Sequence, residues 1–186
     1  MQWFRAGLIG MVALVAVLLP QAAFGDERSC RGTLGAITVD NLRVPQGATC
    51  TLVGTRVKGT ITVKRGATLL ASGIKVVGNV QAENAKNVVV NGASRVGGSI
   101  QVKQGRAATV RGTRITGDLQ YDHNRKPLRA ENNRVKGSIQ VMENNGGVTI
   151  AGNVVNGNLQ CKENEPEPEG GGNRVGGNKE DQCEDL

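Results

Sequence analysis

Six cations recur at one position along this chain: Arg56, Lys75, Arg95, Arg114, Arg134 and Arg174. Each is followed by Val or Ile, and only Val154 interrupts the series. Successive residues of an extended chain point to opposite faces, so if the aliphatic residue is buried the cation points outward. The chemistry such a column offers is the capture of anions along a line. A structural alternative exists, since long cationic stems can cover apolar surface while their heads stay in water. Like charges stacked at about 4.8 Å repel, however, and a purely structural face would avoid them. The expected ligand is therefore a linear polyanion, an anionic envelope polysaccharide or a teichoic acid. The alternative is an inert structural spacer.

Acid–base chemistry has fewer candidates. Glu83, Asp122, Glu143 and Glu163 fall at nearby positions of successive repeats, which is the minimum for a carboxylate pair of the glycosidase type, with its separation of about 5 to 9.5 Å. They are interspersed with Lys64, Lys103, Lys126 and Lys162, and no long insertion builds a cleft, so a solvated, charge-mixed corner is expected. His123 is the only histidine, and Asp122 precedes it. Sequence neighbours on a turn rarely form an oriented base pair, and no Ser or Cys nucleophile is placed to use one. By the usual site criteria a polysaccharide-active enzyme is the weaker reading, with no catalytic residue assigned. GGNRVGG from Gly171 lacks both the aspartates of calcium-binding repeats and a P-loop Lys, so no metal or cofactor is expected. With 2% aromatic residues the chain has almost nothing on which to stack bases, and nucleic acid is not expected as its partner in vivo.

The elements that position these residues follow from a repeat. GTITV at Gly59 returns as GNVQA at Gly78, GSIQV at Gly98, GDLQY at Gly117, GSIQV at Gly137 and GNLQC at Gly157, at intervals of 19 or 20 residues. That period implies a solenoid, in which each coil buries its apolar side chains only against its neighbours. Three short segments recur per period: the G-x-I-x-V stretch, a second apolar segment, and the cation–aliphatic pair. Gly, Asn and Pro gather between them, as at sharp turns. The expected fold is all-β, a single-stranded, three-sided parallel β-helix of six to seven coils.

Alternation in the first segment sends Ile61, Val63, Val80, Ala82, Ile100, Val102, Leu119, Tyr121, Ile139, Val141, Leu159 and Cys161 inward. Thr62, Gln81, Gln101, Gln120, Gln140 and Gln160 then face out in one column. Stacked amides satisfy one another, so this column is expected to hold register.

Residues 1–25 read as a cleaved export signal: Arg5, an uncharged apolar run from Ala6 to Leu19, Pro20, and small residues at Ala23 and Gly25. The run is shorter than the roughly 20 residues of a spanning helix, and no membrane span is expected in the mature chain. Cleavage near Gly25 would place the protein in the periplasm, the envelope or the medium. Without residues 1–25, 22 Lys and Arg stand against 16 Asp and Glu, a net +6. In an oxidising compartment four cysteines without a C-x-x-C pair imply disulfides. The solenoid selects the pairing, because Cys30 and Cys50 lie near one end of the stack and Cys161 and Cys183 near the other, beyond the reach of about 7 Å that a disulfide allows. The expected bridges are Cys30–Cys50 and Cys161–Cys183.

Both ends of a stack are open sheet edges, which invite polymerisation unless blocked. GNKED at Gly177 puts Lys179 and Asp181 where the coil below has Leu159 and Cys161, and KENEPEPE from Lys162 fills the second segment with acids and prolines. The stack is expected to stop there and the protein to be a monomer. GAITV at Gly35 reads as a first, irregular coil. The resulting divisions are a signal at 1–25, capping coils at 26–58, regular coils at 59–161 and an acidic, disulfide-clipped cap at 162–186.

The V-x-G-x-I-x-V coils resemble those of bactofilin-type β-helices. The ending GNLQCKENEPEPEGGGNRVGGNKEDQC resembles that of a group of uncharacterised exported bacterial β-solenoid proteins, a likeness that spans nearly the whole mature chain. The resemblance implies a fold and export, and no activity. Bactofilins are cytosolic polymers, whereas this chain carries an export signal and a charged stop, a departure that argues against a bactofilin-like assembly.

Overall fold

The computed structural model describes residues 26–186, so the expected export signal lies outside the described residues. The chain forms a parallel β-solenoid of three sheets, with nine, eight and eight strands, and every strand pair is parallel. Each coil contributes one strand to each sheet. Ile100–Lys103, Ala107–Arg111 and Arg114–Ile115 make up one such coil.

The stack has about eight coils rather than six to seven, because two coils precede Ile61 and GAITV opens neither. Thr38–Val39 of the GAITV stretch pairs with Arg56–Val57 in the third sheet, and the residues beneath Ile61, Thr62 and Val63 are Leu42, Arg43 and Val44. Burial decides this register: Leu42 and Val44 are fully enclosed, while Ile37 remains 39% exposed. Below them lies one further coil with strands Glu27–Ser29 and Gly32–Leu34.

The inward residues of the first segment all lie in one core that runs the length of the stack. Tyr121 is its largest side chain, and its hydroxyl donates to the carbonyl of Arg129 at 2.8 Å. Burial pushes that hydroxyl's pKa far up and keeps it protonated. The glycine that opens each first segment is required by close approach. A Cβ on Gly137 or Gly157 would stand 2.8 Å from the carbonyl oxygen of the glycine one coil below.

Polar columns hold the corners. Asn124, Asn144 and Asn164 stack where the first sheet turns into the second, and Asn133, Asn153 and Asn173 where the second turns into the third, all of them buried. The Oδ1 of Asn144 accepts both the backbone N–H and the Nδ2 of Asn124, each at 2.9 Å, and Asn124 Nδ2 also donates to the carbonyl of Val102 at 2.9 Å. Buried amides are tolerable only when bonded in this way, and among the described residues no buried side-chain nitrogen or oxygen lacks a partner. At the remaining corner Thr60, Asn79, Ser99, Asp118, Ser138 and Asn158 accept backbone N–H groups from the next coil.

Both cysteine pairs are bridged, Cys30 to Cys50 and Cys161 to Cys183, with Cα–Cα separations of 5.5 and 5.2 Å. The stop comes one strand later than expected. Lys179–Asp181 still pairs with Leu159–Cys161, with Lys179 over Leu159 and Asp181 over Cys161. The strand is tolerated because Lys179 stays half-buried and Asp181 exposed rather than enclosed.

Candidate cationic face

The third sheet consists of two-residue strands, just long enough to place one side chain in and one out. Val57, Val76, Val96, Ile115 and Val135 are buried, Val175 is partly buried, and the residue before each is exposed. Cα register joins Thr38, Arg56, Lys75, Arg95, Arg114, Arg134, Val154 and Arg174 into one column. Neighbouring cations are therefore one strand spacing apart, about 4.8 Å.

Several cations on the first and second sheets are paired with carboxylates. Arg43 pairs with Glu27, Lys103 with Asp122, and both Arg111 and Arg129 with Glu131. None of the six third-sheet cations has a carboxylate within salt-bridge distance among the described residues. Beside them, Ala93, Ser94, Arg95, Gly112, Thr113, Arg114, Asn132 and Arg134 line a shallow, open depression of about 390 Å³ along the corner. Three guanidinium groups thus border one polar groove parallel to the rod axis.

The first-sheet column is occupied differently. Gln81 donates to Gln101 at 3.4 Å, Gln101 to Gln120 at 2.6 Å, Gln120 to Gln140 at 2.7 Å and Gln140 to Gln160 at 3.0 Å. Gln160 completes the chain by donating to the carboxylate of Glu180 at 2.6 Å. Thr62 lies in the same register below Gln81.

At the first corner the structure corrects one expectation. Asp122 and His123 do pair, with Nδ1 2.5 Å from the carboxylate, and the ring's Nε2 lies 2.8 Å from Glu143 of the next coil. His123 adopts φ 54°, in the left-handed region, as Asn84, Gln104, Glu143 and Glu163 do at the same corner of other coils. The hydrogen bond to Asp122 and the charge of Glu143 raise the His123 pKa. With both ring nitrogens held by carboxylates, neither is free to accept a proton from a substrate. Among the described residues no group of three or more His, Cys, Asp or Glu is arranged to hold a metal ion.

Sequence reasoning missed the buried Asn columns, Glu180 as the end of the amide ladder, and a cationic corner at Lys86, Arg106 and Arg125. The Asn columns had a visible signal, since Asn124, Asn144 and Asn164 repeat at 20 residues, as do Asn133, Asn153 and Asn173. No family model, no curated protein and no solved structure matches the chain. What fold and face define together is a parallel β-solenoid whose third sheet carries an exposed cationic column. No helix among the described residues is long and apolar enough to cross a membrane.

Proposed function

We propose that this protein is an exported, non-enzymatic solenoid of the cell envelope whose third-sheet face holds a linear anionic polymer, an anionic polysaccharide or a teichoic acid, as a binding or scaffolding module. The observation that carries the reading is the column Arg56, Lys75, Arg95, Arg114, Arg134 and Arg174, exposed and without carboxylate partners. Five of the six are Arg, whose planar fork suits phosphate and carboxylate oxygens. Each exposed contact is weak and screened by salt, so affinity comes from several contacts made at once by one chain. Two disulfides support export.

An inert spacer is the second reading, favoured by the continuous Gln and Asn ladders, which stiffen a rod whether or not it binds anything. The discriminating experiment is the variant Arg95→Gln/Arg114→Gln/Arg134→Gln, compared with the parent for retention on heparin and on teichoic acid at low salt. Sharply reduced retention with unchanged melting supports the polymer-binding face. Equal retention leaves the spacer.

A further inference from the structure

We infer that the rod carries a second cationic stripe, Lys86, Arg106 and Arg125, on the side away from the first, so that one copy bridges two chains of the same linear polyanion. This rests on the polyanion reading of the third-sheet face and adds a second site to it.

The three residues are stacked in successive coils. The backbone N–H of Lys86 donates to the carbonyl of Ala67 at 2.8 Å, that of Arg106 to Ala85 at 2.9 Å, and that of Arg125 to Gly105 at 3.2 Å. All three side chains are exposed, as are the adjoining Arg65 and Lys126, and none of the five forms a salt bridge with a described residue. The nearest acid in sequence to Arg125 is Asp122, and its carboxylate is already engaged by His123 and Lys103. In the next coil the column turns to Asn145 and in the one after to Glu165, which ends the stripe.

Position makes this stripe a separate site. It lies at the corner joining the first and second sheets, the one corner of a three-sided coil that the third sheet does not share. The two stripes therefore look away from each other across the core. The faces between them offer no cationic path. On the first sheet the surface is the neutral Gln ladder, and on the second sheet Arg111 and Arg129 share the single carboxylate of Glu131. A chain lying along the axis on one stripe leaves the other open for a second chain. With three stacked cations against five in succession on the third sheet, the corner stripe is the weaker, and it becomes useful once the first chain has fixed the protein in place.

The test immobilises a short heparin oligosaccharide, too short to pass round the rod, binds the protein to it at low salt, and then adds the same oligosaccharide carrying a fluorophore. The parent is expected to retain the labelled chain. Lys86→Gln/Arg106→Gln/Arg125→Gln should bind the surface within about twofold of the parent yet capture at least about tenfold less label. Melting curves confirm that the variant folds. If that variant captures label as well as the parent, for example through dimers that present two third-sheet faces, the second stripe is not a site. A parent that binds the surface and captures nothing overturns bridging and leaves the single-face reading intact. A parent that does not bind the surface at all overturns both.

Discussion

The side-chain amide of Gln160 donates to the carboxylate of Glu180 at 2.6 Å, and Asn158 donates to the other oxygen of the same group at 2.8 Å. This anion ends a one-way chain of amides, each giving its N–H to the oxygen of the coil above. In the same register column, below Thr62, stands Arg43. The amide dipoles thus run between a cation beneath their oxygen ends and an anion above their nitrogen ends, the orientation that electrostatics favours.

If the ladder holds register, its members contribute unequally. Gln120→Ala removes two bonds, of 2.6 and 2.7 Å, and should cost about 1 to 2 kcal/mol, with Glu180→Ala similar because its bonds involve a charge. Gln81→Ala removes a single bond of 3.4 Å and should cost only a few tenths. Urea titration of the three variants checks the ranking, and equal midpoints would refute it.

Buried amides should matter more. Asn144→Ala strips partners from the Asn124 N–H and Nδ2 and from the Tyr121 carbonyl, all enclosed, and should cost about 3 kcal/mol or more. The expected result is a larger drop in urea midpoint than for Gln120→Ala. Ile139→Asp, which puts an unpaired charge in the same narrow core, should prevent folding altogether, as circular dichroism would report.

His123 gives the rod a pH dependence of known sign. Its pKa is raised in the folded state, so its contribution is complete below the unfolded value near 6.5 and is lost as pH rises through the folded value. Melting temperatures of the parent and of His123→Asn should differ most near pH 5.5 and converge at alkaline pH. A gap that widens with pH would contradict the pairing with Asp122 and Glu143.

The bridges close intervals of 20 and 22 residues, for which loop entropy suggests about 3 kcal/mol each. Non-reduced peptide mapping should recover Cys30 with Cys50 and Cys161 with Cys183. Replacing Cys161 and Cys183 by Ser should also loosen the last strand, seen as faster amide exchange at Lys179–Asp181 than in the parent.

Much of the fold was legible because a solenoid writes its geometry as a period. The inward set from Ile61 to Cys161 follows from alternation alone, and the cation column from one residue recurring before an aliphatic one. The first coil was not legible in the same way. GAITV matches the motif letter by letter, whereas NLRV, with Asp40 in place of Gly, matches it only in what it buries. The burial of the Asn124–Asn144–Asn164 column was not legible either, since Asn at a turn has the same letter whether it caps a solvated bend or fills a buried corner. The Asp122–His123 pair sits on a turn with a left-handed φ that no residue type announces.

The donor side of the Asn and Gln ladders carries a consequence for how the chain assembles. Asn124 gives its N–H and Nδ2 to Asn144, Asn144 to Asn164, and Asn164 to Gln182. A polypeptide emerging N-terminus first reaches each corner before the residue that will satisfy it has appeared. Until the next coil covers them, the amide donors of that corner are left to water. Glu180 and Gln182 accept the last donors of the Gln ladder and of this Asn column.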